Sequence, residues 1–178
     1  FTIITSGGLT RRPALILKYV LGEYDTVQVY LSKKEAEPYA TFKEGELDVN
    51  TLDKVNVNGE NVDVTRTFKA LEIAKDGSRV RIWSSTAYDI NNNSKWHPNS
   101  LYNDVVKNVG YVPPFTQLGG KNYEFSVKLL QPVWENYMRW QSKALHYMIE
   151  EKGVEVIFSH LHMIDAQGHI FWHYAHNA

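Results

Sequence analysis

The sequence contains no cysteine, which excludes disulfide bonds and thiolate metal sites. The same absence favours a cytoplasmic protein. Net charge is nearly absent too: 19 Lys and Arg against 20 Asp and Glu leave a formal −1. There is therefore no electrostatic case for binding nucleic acid or an anionic membrane. No run approaches the roughly 18 apolar residues that a membrane-spanning helix needs, and no signal peptide is visible. Neither G-x-x-x-x-G-K-[ST] nor G-x-G-x-x-G occurs, so Ser6-Gly7-Gly8 reads as a plain turn sooner than as a phosphate cradle. What remains is 178 residues, enough for a real hydrophobic core. The chain opens at Phe1, not at Met, and closes at His176-Asn-Ala, which reads as an internal piece of a larger protein.

Histidine is concentrated at one end. Five of the seven (His160, His162, His169, His173 and His176) fall within seventeen residues. They follow Gly153, a helix-stop signal, and the apolar run Val154 to Phe158, which reads as a buried strand. Asp165 and His169 are spaced by four. If the chain turns helically after Asp165, both lie on one face and can reach a single cation. Carboxylate oxygen with imidazole nitrogen suits zinc or a similar divalent ion. Two ligands are too few for a tight site, since structural zinc takes four and catalytic zinc three from the protein. His160 and His162, two apart, would share a strand face and could join a metal or substrate shell; a pair of polar residues at a strand end is the plainer alternative. His173, four beyond His169, would extend the metal face.

The element Asp165-Ala-Gln-Gly-His169 resembles the Asp-x-x-Gly-His element of the alkaline phosphatase superfamily, in its type I phosphodiesterase and nucleotide pyrophosphatase branch. The preceding helix, glycine stop and strand extend the resemblance over roughly the last forty-five residues. It implies that Asp165 and His169 bind one of two metal ions, with zinc expected. It also implies displacement at phosphorus by a Thr or Ser nucleophile on a small phosphate ester or nucleotide. That nucleophile is not identified here: Thr5, Ser6 and Thr10 have no metal-ligand Asp before them. The family's downstream Asp-His pair and further His are also missing, so the chain alone is expected to be inactive. Two other functions stay open. One is a non-catalytic interaction domain with an incidental His cluster; the other is a phosphomutase or sulfatase of the same superfamily.

The remaining pattern predicts an α+β fold, with an antiparallel meander joined to a helix–strand unit; the resemblance implies that this unit belongs to an alkaline-phosphatase-like core and that the meander is an insertion capping it. Residues 1–112 are expected to form the meander, cap-like region, and 113–178 the linker, helix and strand leading to the Asp–His element. Phe1 to Thr5 reads as a short strand. Pro13 and Gly22 bracket a predicted helix over Ala14 to Leu21. Arg11 and Arg12 read as solvated charges at its start. Asp25 to Tyr30 alternates as a strand, and Pro38 to Phe42 pairs back. Asn58-Gly59 and Asp76-Gly77 predict two hairpins. Asp89 to Asn103 reads as a polar loop, with Trp96 packing down it, and Asp104 to Val109 as a short helix stopped by Gly110. His97, before a proline, has no link to His169. Pro132 to Lys152 is predicted as a helix with Pro132 at its first position and Gly153 after its end. Its Trp, Tyr and Met stripes read as core, and His146 as a satisfied structural histidine.

Overall fold

Two asparagine- or aspartate-glycine turns set the first half of the chain, and a computed structural model shows how. It describes residues 2–5, 8–18, 22–114 and 123–176, with the backbone alone at 3–5, 8, 9, 123, 125, 170 and 173–176. The fold is α+β with antiparallel sheets. It divides into two units, Phe1–Asn92 and Asn93–Ala178.

In the first unit, β1 (Thr2–Thr5) pairs with β2 (Gly8–Arg11), as the predicted N-terminal strand requires. Ser6 and Gly7 lie outside the described residues. A three-stranded sheet follows in the order β3 (Ala14–Lys18), β4 (Tyr24–Val29), β5 (Ala40–Lys43). Then comes a sheet built on β6 (Leu47–Val57), β7 (Glu60–Ile73) and β8 (Val80–Ser84), with β9 (Tyr88–Asp89) also on β7. The Asn58-Gly59 turn joins β6 to β7, both residues at positive φ (53° and 93°), the backbone that a right-twisted two-residue hairpin demands. Asp76-Gly77 joins β7 to β8, and the Asp76 carboxylate accepts the Ser78 N–H at 3.0 Å.

The segment after Pro13 is a strand, not the predicted helix. Ala14 to Leu17 run antiparallel to Val29 through Thr26, and the Pro13 carbonyl accepts the Tyr30 N–H at 3.0 Å. Eight residues are too few for a helix to stand by itself, whereas pairing with β4 satisfies the backbone at once. Arg12 is correspondingly not a solvated charge: it is buried against Asp53, while Arg11 is exposed. The core of this unit gathers Val27, Val29, Ala40, Phe42, Phe68, Ala70 and Ile73. The Phe42 and Phe68 rings stack at 5.8 Å with only 4° between their planes.

The second unit carries α1 (Ser100–Asn108), α2 (Tyr123–Glu150) and α3 (Met163–His176). The break between units therefore falls about twenty residues before the predicted boundary at 112. The reason is that α1 and its exit belong with α2. Trp140 Nε1 donates to the Gly110 carbonyl (3.0 Å), Asn108 Nδ2 to the Tyr147 hydroxyl (3.0 Å), and Lys152 Nζ to Asp104 (2.5 Å). In the polar loop before α1, half-buried Trp96 packs on the ring of buried Tyr102, 5.6 Å away.

Helix α2 starts nine residues before Pro132, which sits inside it. Proline removes one backbone donor and costs about 3 kcal/mol in a helix interior. Burial outweighs that cost: Leu129, Leu130, Val133 and Trp134 are all buried on either side of it. The end falls as expected, with Gly153 at φ +65° and the Val154 N–H returning to the Met148 carbonyl at 3.1 Å. His146, read as structural, is exposed. The predicted buried strand is also absent: residues 154–158 pair with none of the described strands, and Val156 and Phe158 are 69% and 97% exposed. An apolar run becomes a strand only where a neighbour takes its hydrogen bonds, and none of the described strands does so here. Among the described residues no helix is long and apolar enough to cross a membrane.

Candidate metal-binding face on the C-terminal helix

Helix α3 is anchored by one face. Ala166 packs with Leu130 and Trp134 of α2, and Met163 and Phe171 lie against the same cluster. The approach to it is tied down by Gln141, whose Nε2 donates to Ser159 Oγ (3.0 Å) and to the His160 carbonyl (3.1 Å). The helix opens with the Ala166 N–H returning to the His162 carbonyl at 2.9 Å. Asp165 therefore stands in the first turn, where its charge suits the unsatisfied N–H groups of a helix start.

That anchoring turns the Asp165–His169 edge outward. The helical turn predicted after Asp165 is present, and it brings the two side chains together: His169 Nε2 lies 3.3 Å from Asp165 Oδ1. They are 79% and 51% exposed. His162 joins from the helix entrance, with Nδ1 3.3 Å from the other oxygen, Asp165 Oδ2. Its ring also lies 6.1 Å from that of Trp134, which ties the approach to the buried core. His160 and His162 are not on a strand, yet their rings meet edge-on at 4.9 Å. His173 belongs to α3 by its backbone; its side chain lies outside the described residues, as does that of His176.

The Asp165 carboxylate thus bridges two imidazoles. Either oxygen with its imidazole offers a cation one O and one N donor, the set that zinc accepts. The two imidazoles approach opposite oxygens, however, and do not share one centre. Among the described residues no group of three or more His, Asp or Glu side chains is disposed to hold a metal ion. Among the described residues the pair offers a cation two donors, fewer than the three that a catalytic zinc takes from the protein. As a plain surface ion pair it would be worth only about 0.3–0.5 kcal/mol.

Beside the pair lies an open cavity of about 390 Å³, lined by Asp165, Gly168, His169 and Trp172. Trp172 carries no weight in the sequence pattern as a metal motif. Its signal is helical spacing: it stands three residues after His169 and seven after Asp165. No protein-family model matches the chain, and no curated protein and no solved structure was found to resemble it.

Proposed function

We propose that this chain supplies one half of a divalent-metal site, with zinc the ion expected, in a phosphoric ester hydrolase. The activity resembles that of the type I phosphodiesterase and nucleotide pyrophosphatase family. The observation that carries the reading is the exposed Asp165–His169 pair on one face of α3, 3.3 Å apart. Asp165 and His169 are the two ligands. His162, on the far oxygen, is a positioning residue that fixes the carboxylate. His160 and His173 belong to the surrounding shell. A bound zinc would act as a Lewis acid toward a phosphoryl oxygen and lower the pKa of a coordinated nucleophile. The substrate is a small phosphate ester or nucleotide. The nucleophile and the other metal ligands come from residues outside this chain, so the chain alone does not turn over. The lack of cysteine supports a cytoplasmic setting.

The test is hydrolysis of bis-p-nitrophenyl phosphate by the full open reading frame, with and without zinc, against Asp165→Ala. Zinc-dependent turnover lost in the variant supports the reading; turnover indifferent to Asp165 places the site elsewhere. A second reading, a non-catalytic interaction domain, draws on the exposed Val156 and Phe158. No turnover on diester, monoester or sulfate ester would favour it.

A further inference from the structure

We propose that Asn58 is a site of spontaneous modification, converted through a succinimide to aspartate and isoaspartate, and that the side chain of Asn56 governs its rate. Of the asparagines in the sequence, Asn58 alone precedes a glycine. The inference is independent of the metal reading of α3.

The chemistry needs an unhindered backbone amide next to an asparagine side chain. The Gly59 nitrogen, after giving its proton to solvent base, attacks Asn58 Cγ. The new N–Cγ bond closes the ring, the Cγ–Nδ2 bond breaks, and Nδ2 takes a proton from water and leaves as ammonia. Water then opens the ring at either carbonyl carbon; no oxidant or cofactor enters. Glycine sets no Cβ beside the attacking nitrogen. At Asn56 and Asn61 the next residue is a β-branched valine, which crowds it. Asn58 and Gly59 are exposed at the tip of the β6–β7 hairpin, in open solvent. The ladder closes at the pair Val57–Glu60, so the Gly59 N–H lies outside it. It donates instead to Asn56 Oδ1 at 3.0 Å. That bond opposes loss of the proton that ring closure requires, and so slows the step. The other hairpin turn, Asp76-Gly77, is held on both sides. Its Gly77 N–H donates to the Ala74 carbonyl at 2.8 Å, and the Asp76 carboxylate accepts from the Ser78 N–H and Oγ at 3.0 and 2.6 Å. Isoaspartate adds a methylene to the main chain of a two-residue turn whose geometry sets the register of β6 on β7, so the product loosens the hairpin.

Mass-spectrometric mapping of the tryptic peptide Val55–Arg66, sampled while the folded chain is incubated at mildly alkaline pH, tests the proposal. The peptide also carries Asn56 and Asn61 as internal references. Asn58 should convert ahead of both, and faster in urea-unfolded chain than in folded chain. Asn56→Ala should accelerate the folded reaction about two- to tenfold, the range that one hydrogen bond supplies. Asn56→Asp, which keeps an acceptor for the Gly59 N–H, should stay near the parent. Asn56 is exposed, so both variants should fold as the parent does. In urea the acceleration should vanish. Conversion of Asn58 no faster than that of Asn61 would overturn the site. An unchanged rate in Asn56→Ala, an equal acceleration in Asn56→Asp, or an acceleration that persists in urea would overturn the role of Asn56. The isoaspartyl fraction should unfold at a lower urea midpoint than the unmodified chain; an unchanged midpoint would overturn the effect on the hairpin.

Discussion

Replacing Asp53 by alanine should cost more stability than any other single charge removal in the first unit. Its carboxylate is fully buried between two guanidinium groups, 2.6 Å from Arg12 Nη2 and 3.1 Å from Arg66 Nε. It also accepts the Lys54 N–H at 2.7 Å. Arg12 bonds the Lys54 carbonyl as well, and Arg66 bonds that of Ser85, at 2.7 and 3.1 Å. These carbonyl bonds would survive in Asp53→Ala, but two buried positive charges would lose the carboxylate they share. Removing one partner of a buried ion pair costs about 3–5 kcal/mol. Against a typical domain stability of about 5–15 kcal/mol, that is a large share. Asp63→Ala is the control: it removes an exposed pair with Lys54 at 3.6 Å and should cost no more than about 0.5 kcal/mol. Urea unfolding, with amide exchange read in β6 and β7, measures both. The midpoint should fall while the slope stays constant. Since the penalty belongs to the orphaned charges, the triple change Arg12→Met, Asp53→Leu, Arg66→Met should recover most of the loss. A cost below about 1 kcal/mol for Asp53→Ala, or a triple variant less stable than the single, would refute the reasoning.

Packing and burial fix the outcome of five further substitutions. Gly77→Ala should cost about 2–4 kcal/mol in urea unfolding, from strain at φ +76° together with a new Cβ only 2.6 Å from the Tyr24 ring. Gly59→Ala, with strain but open space, should cost about 1 kcal/mol. Trp134→Ala should cost about 3–5 kcal/mol in thermal unfolding of the second unit, because its side chain is buried against α3. Phe158→Ser should leave it within about 0.5 kcal/mol, the opposite of what a buried strand would give. Burial raises the Asp48 carboxyl above its ordinary value, with a hydrogen bond from Thr51 opposing. The folded state then holds that proton more tightly than the unfolded state, so stability falls as pH rises from 3.8 through the folded value. Asp48→Asn should therefore melt higher than the parent at pH 7, and the gap should close as pH falls toward 4.

What the sequence reveals of this fold is what is decided locally. Asn58-Gly59 and Asp76-Gly77 carry their own turn chemistry, and both hairpins form there. The Asp165–His169 contact follows from a spacing of four on a helix. What stays hidden depends on distant partners. Pro13 and Gly22 imitate helix ends around a strand that exists because β4 pairs with it. Pro132 imitates a helix start because the buried leucines before it give no capping signal. Val154 to Phe158 has strand composition but no partner among the described strands. Arg12, Asp53 and Arg66 meet across 41 and 13 residues, a distance no periodicity announces.

The most direct measurement on the central claim is a zinc titration of this chain, followed through the imidazole resonances of the C-terminal histidines. The account predicts saturable shifts at His169 that disappear in Asp165→Ala, and loss of binding in His169→Ala. Zinc shifts that survive Asp165→Ala, or zinc that leaves His169 unmoved, would contradict it.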